Sequence, residues 1–261
     1  MSGLAAVVLA AGHGTRLRPL TTLRPKALCP VGGVPLVDRA LARVEPVVGH
    51  GPAGVAVNAH ALAEQVVDHV GDRAHVSVEQ PEALGTAGAL GALRDWLDGR
   101  DVLVTNADAY LAGDLAGLVD GWRGDRCRLF VVPANGPGDF DGQHYVGAAL
   151  LPWRTVRALP AEPSGLYEVL WRDEHAAGRL ELVPFLGTAI DCGTPTDYLR
   201  ANLHASGGRS VVGDGAVVEG TIERCVVWDG AYVGPDEHLV ECIRAGSPAE
   251  PLTVPAPLNQ D

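Results

Sequence analysis

Leu4-Ala5-Ala6-Val7-Val8-Leu9-Ala10-Ala11-Gly12-His13-Gly14-Thr15-Arg16-Leu17-Arg18-Pro19-Leu20 is the stretch whose reading decides the fold. Its first six residues are an apolar run that reads as a buried strand, so the glycines fall where a strand turns into a loop. In open α/β sheets that edge is where nucleotides bind. Gly12 and Gly14 carry no side chain, which lets successive backbone N–H groups approach phosphate oxygens, and Arg16 adds a planar cation able to grip two oxygens at once. Two commoner glycine loops fail on spacing. A P-loop needs Lys followed by Ser or Thr directly after its last glycine, whereas Gly14 precedes Thr15 and Arg16. A dinucleotide fingerprint needs a third glycine where Leu17 stands. On the glycines alone, a generic glycine-rich turn fits as well.

Outward from that stretch, short apolar strands alternate with amphipathic helices. The pattern predicts a helix from Leu36 to about Val47, a strand Val55 to Val57, a helix from about Ala61 to Val70, and a strand Val76 to Val78. A helix from Leu84 to about Leu97 and a strand Val102 to Thr105 follow, the latter delivering Asn106-Ala107-Asp108. Further on come a helix near Leu115 to Trp122 and strands Leu129 to Pro133 and Tyr145 to Leu151. This is a Rossmann-like α/β fold class: three layers, α/β/α, with a mixed, mostly parallel sheet covered on both faces.

Bulk properties bound the function. A chain of 261 residues with 47% apolar residues holds one large α/β domain and a small appendage. A net charge of -12 excludes a nucleic-acid partner, because phosphate backbones need basic surface. The five cysteines, Cys29, Cys127, Cys192, Cys225 and Cys242, are odd in number and lack a Cys-x-x-Cys pair, so they read as reduced thiols. No apolar run approaches the roughly 18 residues of a membrane span, and the N-terminus lacks a basic leader region. The expected compartment is the cytoplasm, with no membrane partner.

Ala10-Ala11-Gly12-His13-Gly14-Thr15-Arg16-Leu17-Arg18-Pro19-Leu20-Thr21, then Pro25-Lys26-Ala27-Leu28, then Pro30-Val31-Gly32-Gly33-Val34-Pro35-Leu36, closely resembles the signature of the sugar-1-phosphate nucleotidylyltransferases. The resemblance implies a nucleotidyltransferase domain and a reaction in which a sugar 1-phosphate attacks the α-phosphorus of an NTP and expels pyrophosphate. It assigns Leu9, Ala10, Ala11, Gly12, Gly14, Thr15, Arg16, Lys26 and Asp108 to the nucleotide, with Arg16, Lys26, Asp108 and Asp191 catalytic. It also places Leu84-Gly85-Thr86-Ala87-Gly88 along the nucleoside pocket, Gln80 against the base, and Gly147 and Glu168 against the sugar. Asn106-Ala107-Asp108 resembles the family's Asn-Gly-Asp, and Asp191 heads an Asp-x-Gly-Thr motif; together the two aspartates are expected to bind Mg²⁺, which takes few protein ligands beside phosphate and water.

Thr188-Ala189-Ile190-Asp191-Cys192-Gly193-Thr194-Pro195-Thr196-Asp197-Tyr198 also reads locally. Thr194 caps a helix whose first turn carries Pro195 and Asp197, which explains those three residues by capping and leaves Asp191 over. After Ala205, Ser210 to Gly220 and Val226 to Gly234 resemble hexapeptide turns of a left-handed β-helix. There are too few coils to stand alone, so the segment must dock on the main domain or on another subunit, a route to a homo-oligomer. The expected domains are residues 1–205 (catalytic), 206–245 (β-helix-like) and 246–261 (an extended, partly mobile tail).

The nucleobase is the least determined point. Gln80 can accept from a ring N–H while donating to the adjacent carbonyl, a pattern that uracil, thymine and guanine share. Ala10-Ala11-Gly12 and Gln80 resemble uridylyl- and thymidylyltransferases, while Leu84-Gly85-Thr86-Ala87-Gly88-Ala89-Leu90 is more similar to mannose-1-phosphate guanylyltransferases. With small residues at Gly85, Ala87 and Gly88 expected to leave room for a purine, that resemblance favours GTP with a hexose 1-phosphate such as mannose 1-phosphate. UTP or dTTP with a glucose-type sugar is the alternative. A non-catalytic nucleotide-sugar-binding regulatory subunit would usually lose the charged residues that this chain keeps.

Overall fold

The computed structural model describes residues 3–258, which divide into two compact units: residues 14–36 with 190–258, and the remainder up to 189. The expected boundary at 205 therefore does not coincide with the division of compact units. Residues 14–36 and the helix after Asp191 group with the C-terminal coils.

The larger unit is built on a seven-stranded sheet. Strands β1 (Leu4–Leu9), β2 (Val55–Ala59), β3 (His75–Val78), β4 (Asp101–Asn106), β6 (Cys127–Pro133), β7 (Gln143–Leu151) and β8 (Leu180–Pro184) stand in the order β8-β6-β7-β4-β1-β2-β3, with β5 (Ala109–Ala112) outside it. All neighbours pair in parallel except β7, which runs against both β4 and β6. The sheet is thus mixed and mostly parallel, as expected. Ala5 to Val8 are wholly buried, the mark of a strand covered on both faces. Val102, Val104, Leu129, Val131 and Leu151 pack in one core with Leu90, Leu93 and Leu97 of the helical layer.

Helices α1 (Leu36–Val48) and α2 (Ala63–Val70) lie where their periodicity put them. The single helix expected from Leu84 to Leu97 breaks at Leu93 into α3 (Gly85–Ala92) and α4 (Arg94–Leu97). The helix expected to Trp122 shortens to α5 (Ala116–Val119), since Gly117 lowers helix propensity and Gly121 takes φ +66. A π-helical turn, Tyr167–Trp171, had no sequence signal; such turns recur at functional sites.

In the smaller unit Thr194 caps helix Pro195–Ala205, its hydroxyl accepting from Asp197 N at 3.1 Å with Pro195 in the first turn. The C-terminal coils form three faces of short parallel strands: Val211–Val212, Val226–Val227 and Cys242–Gly246 on one, Val217–Val218 with Tyr232–Val233 on the second, Thr221–Glu223 with His238–Val240 on the third. This is the expected β-helix-like segment. The expected loose tail is instead a strand, Pro251–Pro255, paired antiparallel with Cys242–Gly246. Val254 and Ala256 are buried, so apolar burial as well as hydrogen bonding ties it down; its last three residues, 259–261, lie outside the described residues.

Candidate active site

In the larger unit, a cavity of about 160 Å³ opens at the C-terminal edge of the parallel strands. It is lined by Leu9, Ala11, Gly12, Gly85, Thr86 and Asp108, all expected site residues, and by Asn58, Ala83 and Asn106. Its position is the one at which parallel α/β sheets take ligands. A Cβ added to Gly12 would meet nothing within 4 Å, so the missing side chain there leaves open space.

The cavity wall is fixed by a network that the motif reading missed. Glu79, buried at the end of β3, accepts from Asn58 Nδ2 and from Leu84 N, both at 2.7 Å, while Asn58 Oδ1 accepts from Ala10 N at 2.6 Å. One carboxylate therefore ties together the glycine loop, β2 and the start of α3. Hydrogen bonds to a charged acceptor are roughly twice as strong as neutral ones, and a buried carboxylate needs them. Ala10 consequently enters the site through structure: its N–H is committed to Asn58. The available signal was the placement of Asn58 and Glu79, polar residues closing the apolar runs that end β2 and β3.

Gln80, the next residue, is exposed and is not among those lining the cavity. The small residues of α3 also take a different role from the one expected. Added Cβ atoms at Gly85, Gly88 and Gly91 would lie 2.6, 2.2 and 2.3 Å from the carbonyl oxygens of Ser164, Glu162 and Pro160. Ala87 is fully buried, and its N–H donates to Ser164 O. Ala87 and Gly88 thus seat the 160–164 backbone on the helix and do not enlarge the cavity; Gly85 does both, lining the cavity at φ +69. Thr86 Oγ1 accepts from Leu166 N at 2.8 Å, extending the same junction.

Asp108 follows β4 in a turn whose Ala107 N–H donates to Leu9 O. Gly147 has φ +92, and a Cβ there would lie 3.1 Å from Asn106 Cβ, so this glycine lets β7 close over the strand end carrying Asp108. Asn106 Oδ1 is buried with no hydrogen-bond partner among the described residues. Nearby, burial and the charge of Asp108 push the Tyr145 phenol well above its ordinary range. Glu168 is exposed on the π-helical turn.

In the smaller unit, Gly14 takes φ +60 and opens the turn Thr15–Leu17. Lys26 opens a similar turn after Pro25. Arg16 Nη2 and Lys26 Nζ converge on one carboxylate, reaching Asp191 Oδ2 at 3.1 Å and Oδ1 at 3.2 Å. Lys26 is buried, whereas the side chains of Arg16 and Asp191 are 67% and 58% exposed. Gly193 completes the arrangement: a Cβ there would meet Arg16 Nη2 at 2.6 Å and Asp191 Oδ2 at 2.9 Å. The glycine of Asp-x-Gly-Thr therefore makes room for the guanidinium. All five cysteines are free and buried, and burial pushes the Cys29 and Cys127 thiols up to about 12. In the C-terminal coils the Cys242 thiol, 3.6 Å away, lowers the Cys225 thiol below its ordinary range by hydrogen bonding to it.

A parallel sheet with a cavity and a bare-backbone glycine loop at its C-terminal edge is the arrangement in which α/β folds take phosphorylated ligands, and the same chain gathers Arg16 and Lys26 on one carboxylate. The chain belongs to the MobA-like NTP transferase domain family, whose model matches residues 6–178. The mannose-1-phosphate guanylyltransferase of Mycobacterium tuberculosis is 27% identical over 280 residues, covering 90% of this chain and 77% of that one. A relative from Sulfolobus acidocaldarius is 28% identical over 229 residues, 77% of this chain, and the chain spans only 62% of that relative's length. Among solved structures, one titled mannose-1-phosphate geranyltransferase from Thermus thermophilus superposes with a TM-score of 0.70 at 20% identity, covering 97% of this chain and 95% of that one; at that identity the likeness shows the fold. No helix of the described residues is long and apolar enough to cross a membrane.

Proposed function

We propose that the chain transfers a nucleoside monophosphate from an NTP to a sugar 1-phosphate, releasing pyrophosphate, with GTP and mannose 1-phosphate as the favoured pair. The observation that carries the reading is the convergence of Arg16 and buried Lys26 on Asp191 in the smaller unit. The family match and the guanylyltransferase relative support it.

The reaction is an in-line displacement, in which positioning and charge neutralisation do most of the catalysis. Gly12, with open space where a side chain would stand, offers backbone N–H groups to phosphate oxygens. Arg16 leaves an exposed ion pair worth about 0–1 kcal/mol, so the pair hardly opposes its capture by the leaving pyrophosphate. Lys26 neutralises charge around the reacting phosphorus and, being buried, presents its ammonium with little competition from water.

The donor chemistry fits a magnesium ion. Asp108 and Asp191 are hard oxygen donors. That suits an ion completed by phosphate and water. We assign Asp108 and Asp191 as its protein ligands; when bound, it would neutralise phosphate charge and polarise the reacting phosphoryl group.

The test is pyrophosphate release with Mg²⁺, each NTP in turn and a panel of sugar 1-phosphates. Fastest release is expected with GTP and mannose 1-phosphate, and ITP, lacking only the 2-amino group, reports whether that group is read. UTP or dTTP binding at least about ten times tighter than both GTP and ITP would replace the guanylyl reading with the pyrimidine one. Absence of release with every pair would end the proposal.

A further inference from the structure

A second cavity in the larger unit, about 720 Å³, shares no lining residue with the one at the sheet edge. It lies among α1, the end of β5 and α5, and its size is that of a small-molecule site. Val47, Leu111 and Val119 give it apolar walls, and Arg43 gives it a cation.

Arg43 is poorly matched by the protein around it. Its Nη1 donates to the neutral hydroxyl of Thr105 at 2.9 Å, and none of the ion pairs among the described residues includes it. A guanidinium has five N–H donors in a planar fork suited to carboxylate or phosphate. The charge that acts on it here is another cation, Arg39, one helical turn back; burial first and Arg39 second pull Arg43 down to about 10. Asp114 Oδ1 accepts from Ala116 N at 2.9 Å, and neither Asp114 nor Asp120 reaches ion-pair distance of Arg43. A half-buried cation facing a second cation is costly unless an anion answers it.

The same wall offers an acceptor. Pro46 lies inside α1 and has no N–H, so the carbonyl of Ala42, four residues earlier, loses its helical donor; Ala42 lines the cavity.

We propose that this cavity binds a small organic anion, with a phosphate or carboxylate seated on Arg43 and an apolar ring against Val47, Leu111 and Val119. The site is independent of the proposed reaction, since none of the residues given a role in that reaction lines it. Thr105 couples it to the rest of the unit, because the strand that carries this residue ends at Asn106, two residues before Asp108.

Calorimetric titration of the full chain with phenyl phosphate, benzoate, inorganic phosphate and benzyl alcohol tests it. Phenyl phosphate or benzoate is expected to bind at least about tenfold more tightly than inorganic phosphate or benzyl alcohol, and whichever of the two is tighter identifies the head group. Arg43→Gln is expected to weaken that binding at least about tenfold, as is Ala42→Trp, which fills the mouth from an exposed position and leaves Arg43 in place. Lys26→Ala should leave it unchanged. Undiminished binding in both cavity variants, loss of binding in Lys26→Ala, or no binding of either aromatic anion would overturn the proposal, and none of these results bears on pyrophosphate release.

Discussion

The two regions that carry the proposed chemistry are built in opposite ways. At the sheet edge of the larger unit, a buried polar network braces the cavity wall: Glu79 holds Asn58 and Leu84, and Asn58 holds Ala10, so the wall's shape is set before any ligand arrives. In the smaller unit, Arg16 and Asp191 stand in solvent and answer each other through ion pairs that water and salt weaken. A buried network supplies shape and resists change, whereas an exposed charge cluster supplies field and can be reassigned to a substrate. Damage to the first should therefore appear in stability and nucleotide affinity together, and damage to the second in turnover with the fold intact.

The largest expected effect lies in the charge cluster. Lys26→Ala and Arg16→Ala should each lower kcat at least about 10²-fold, roughly 2.7 kcal/mol of transition-state stabilisation, as measured by pyrophosphate release. Wild-type turnover in either variant removes that residue from the mechanism.

The network comes next. In Glu79→Gln one acceptor becomes an NH₂ group facing either Asn58 Nδ2 or Leu84 N, so two donors oppose each other. We expect kcat/KM for the nucleotide to fall about tenfold and the melting temperature to fall with it, for a penalty of about 1–3 kcal/mol. A loss of turnover without any loss of stability would contradict the division between the two regions.

Gly88→Ala sharpens the same point, because its Cβ would come within 2.2 Å of the Glu162 carbonyl oxygen and only backbone movement can relieve that. The expected cost is about 1–3 kcal/mol of stability, read by denaturant or thermal unfolding. Unchanged stability would mean that the 160–164 segment is not seated as described.

The smallest effect belongs to the ion pair itself. Arg16→Ala should shift unfolding free energy by no more than about 1 kcal/mol, since both partners are more than half exposed. A larger loss would show Arg16 to be part of the fold, and its effect on turnover could then no longer be read as chemistry.

Much of this was legible in the residues. Val7 and Val8 lie in a continuous apolar run, so a strand covered on both faces followed, and the glycines after it marked the sheet edge where Gly12 lines the cavity. Thr194, Pro195 and Asp197 stated a helix start in their own spacing, and the hydrogen bond from Asp197 N is the one that spacing implies. Gly88 shows the limit: a small residue at a helix start fits both a nearby ligand and a nearby backbone, and nothing local says which.

The sequence by itself determined what short-range chemistry dictates: the alternation of strands and helices, the caps, the stacked turns after Ala205 and the family to which the chain belongs. Tertiary structure alone decided which distant groups meet. Glu79 and Asn58 are 21 residues apart, Arg43 and Thr105 are 62 apart, and Arg16 and Asp191 are 175 apart. Hydrophobic periodicity and capping are properties of neighbours along the chain and so are written in it directly. The partner of a polar side chain is set by where the packed core brings two elements together, and no window of sequence contains both.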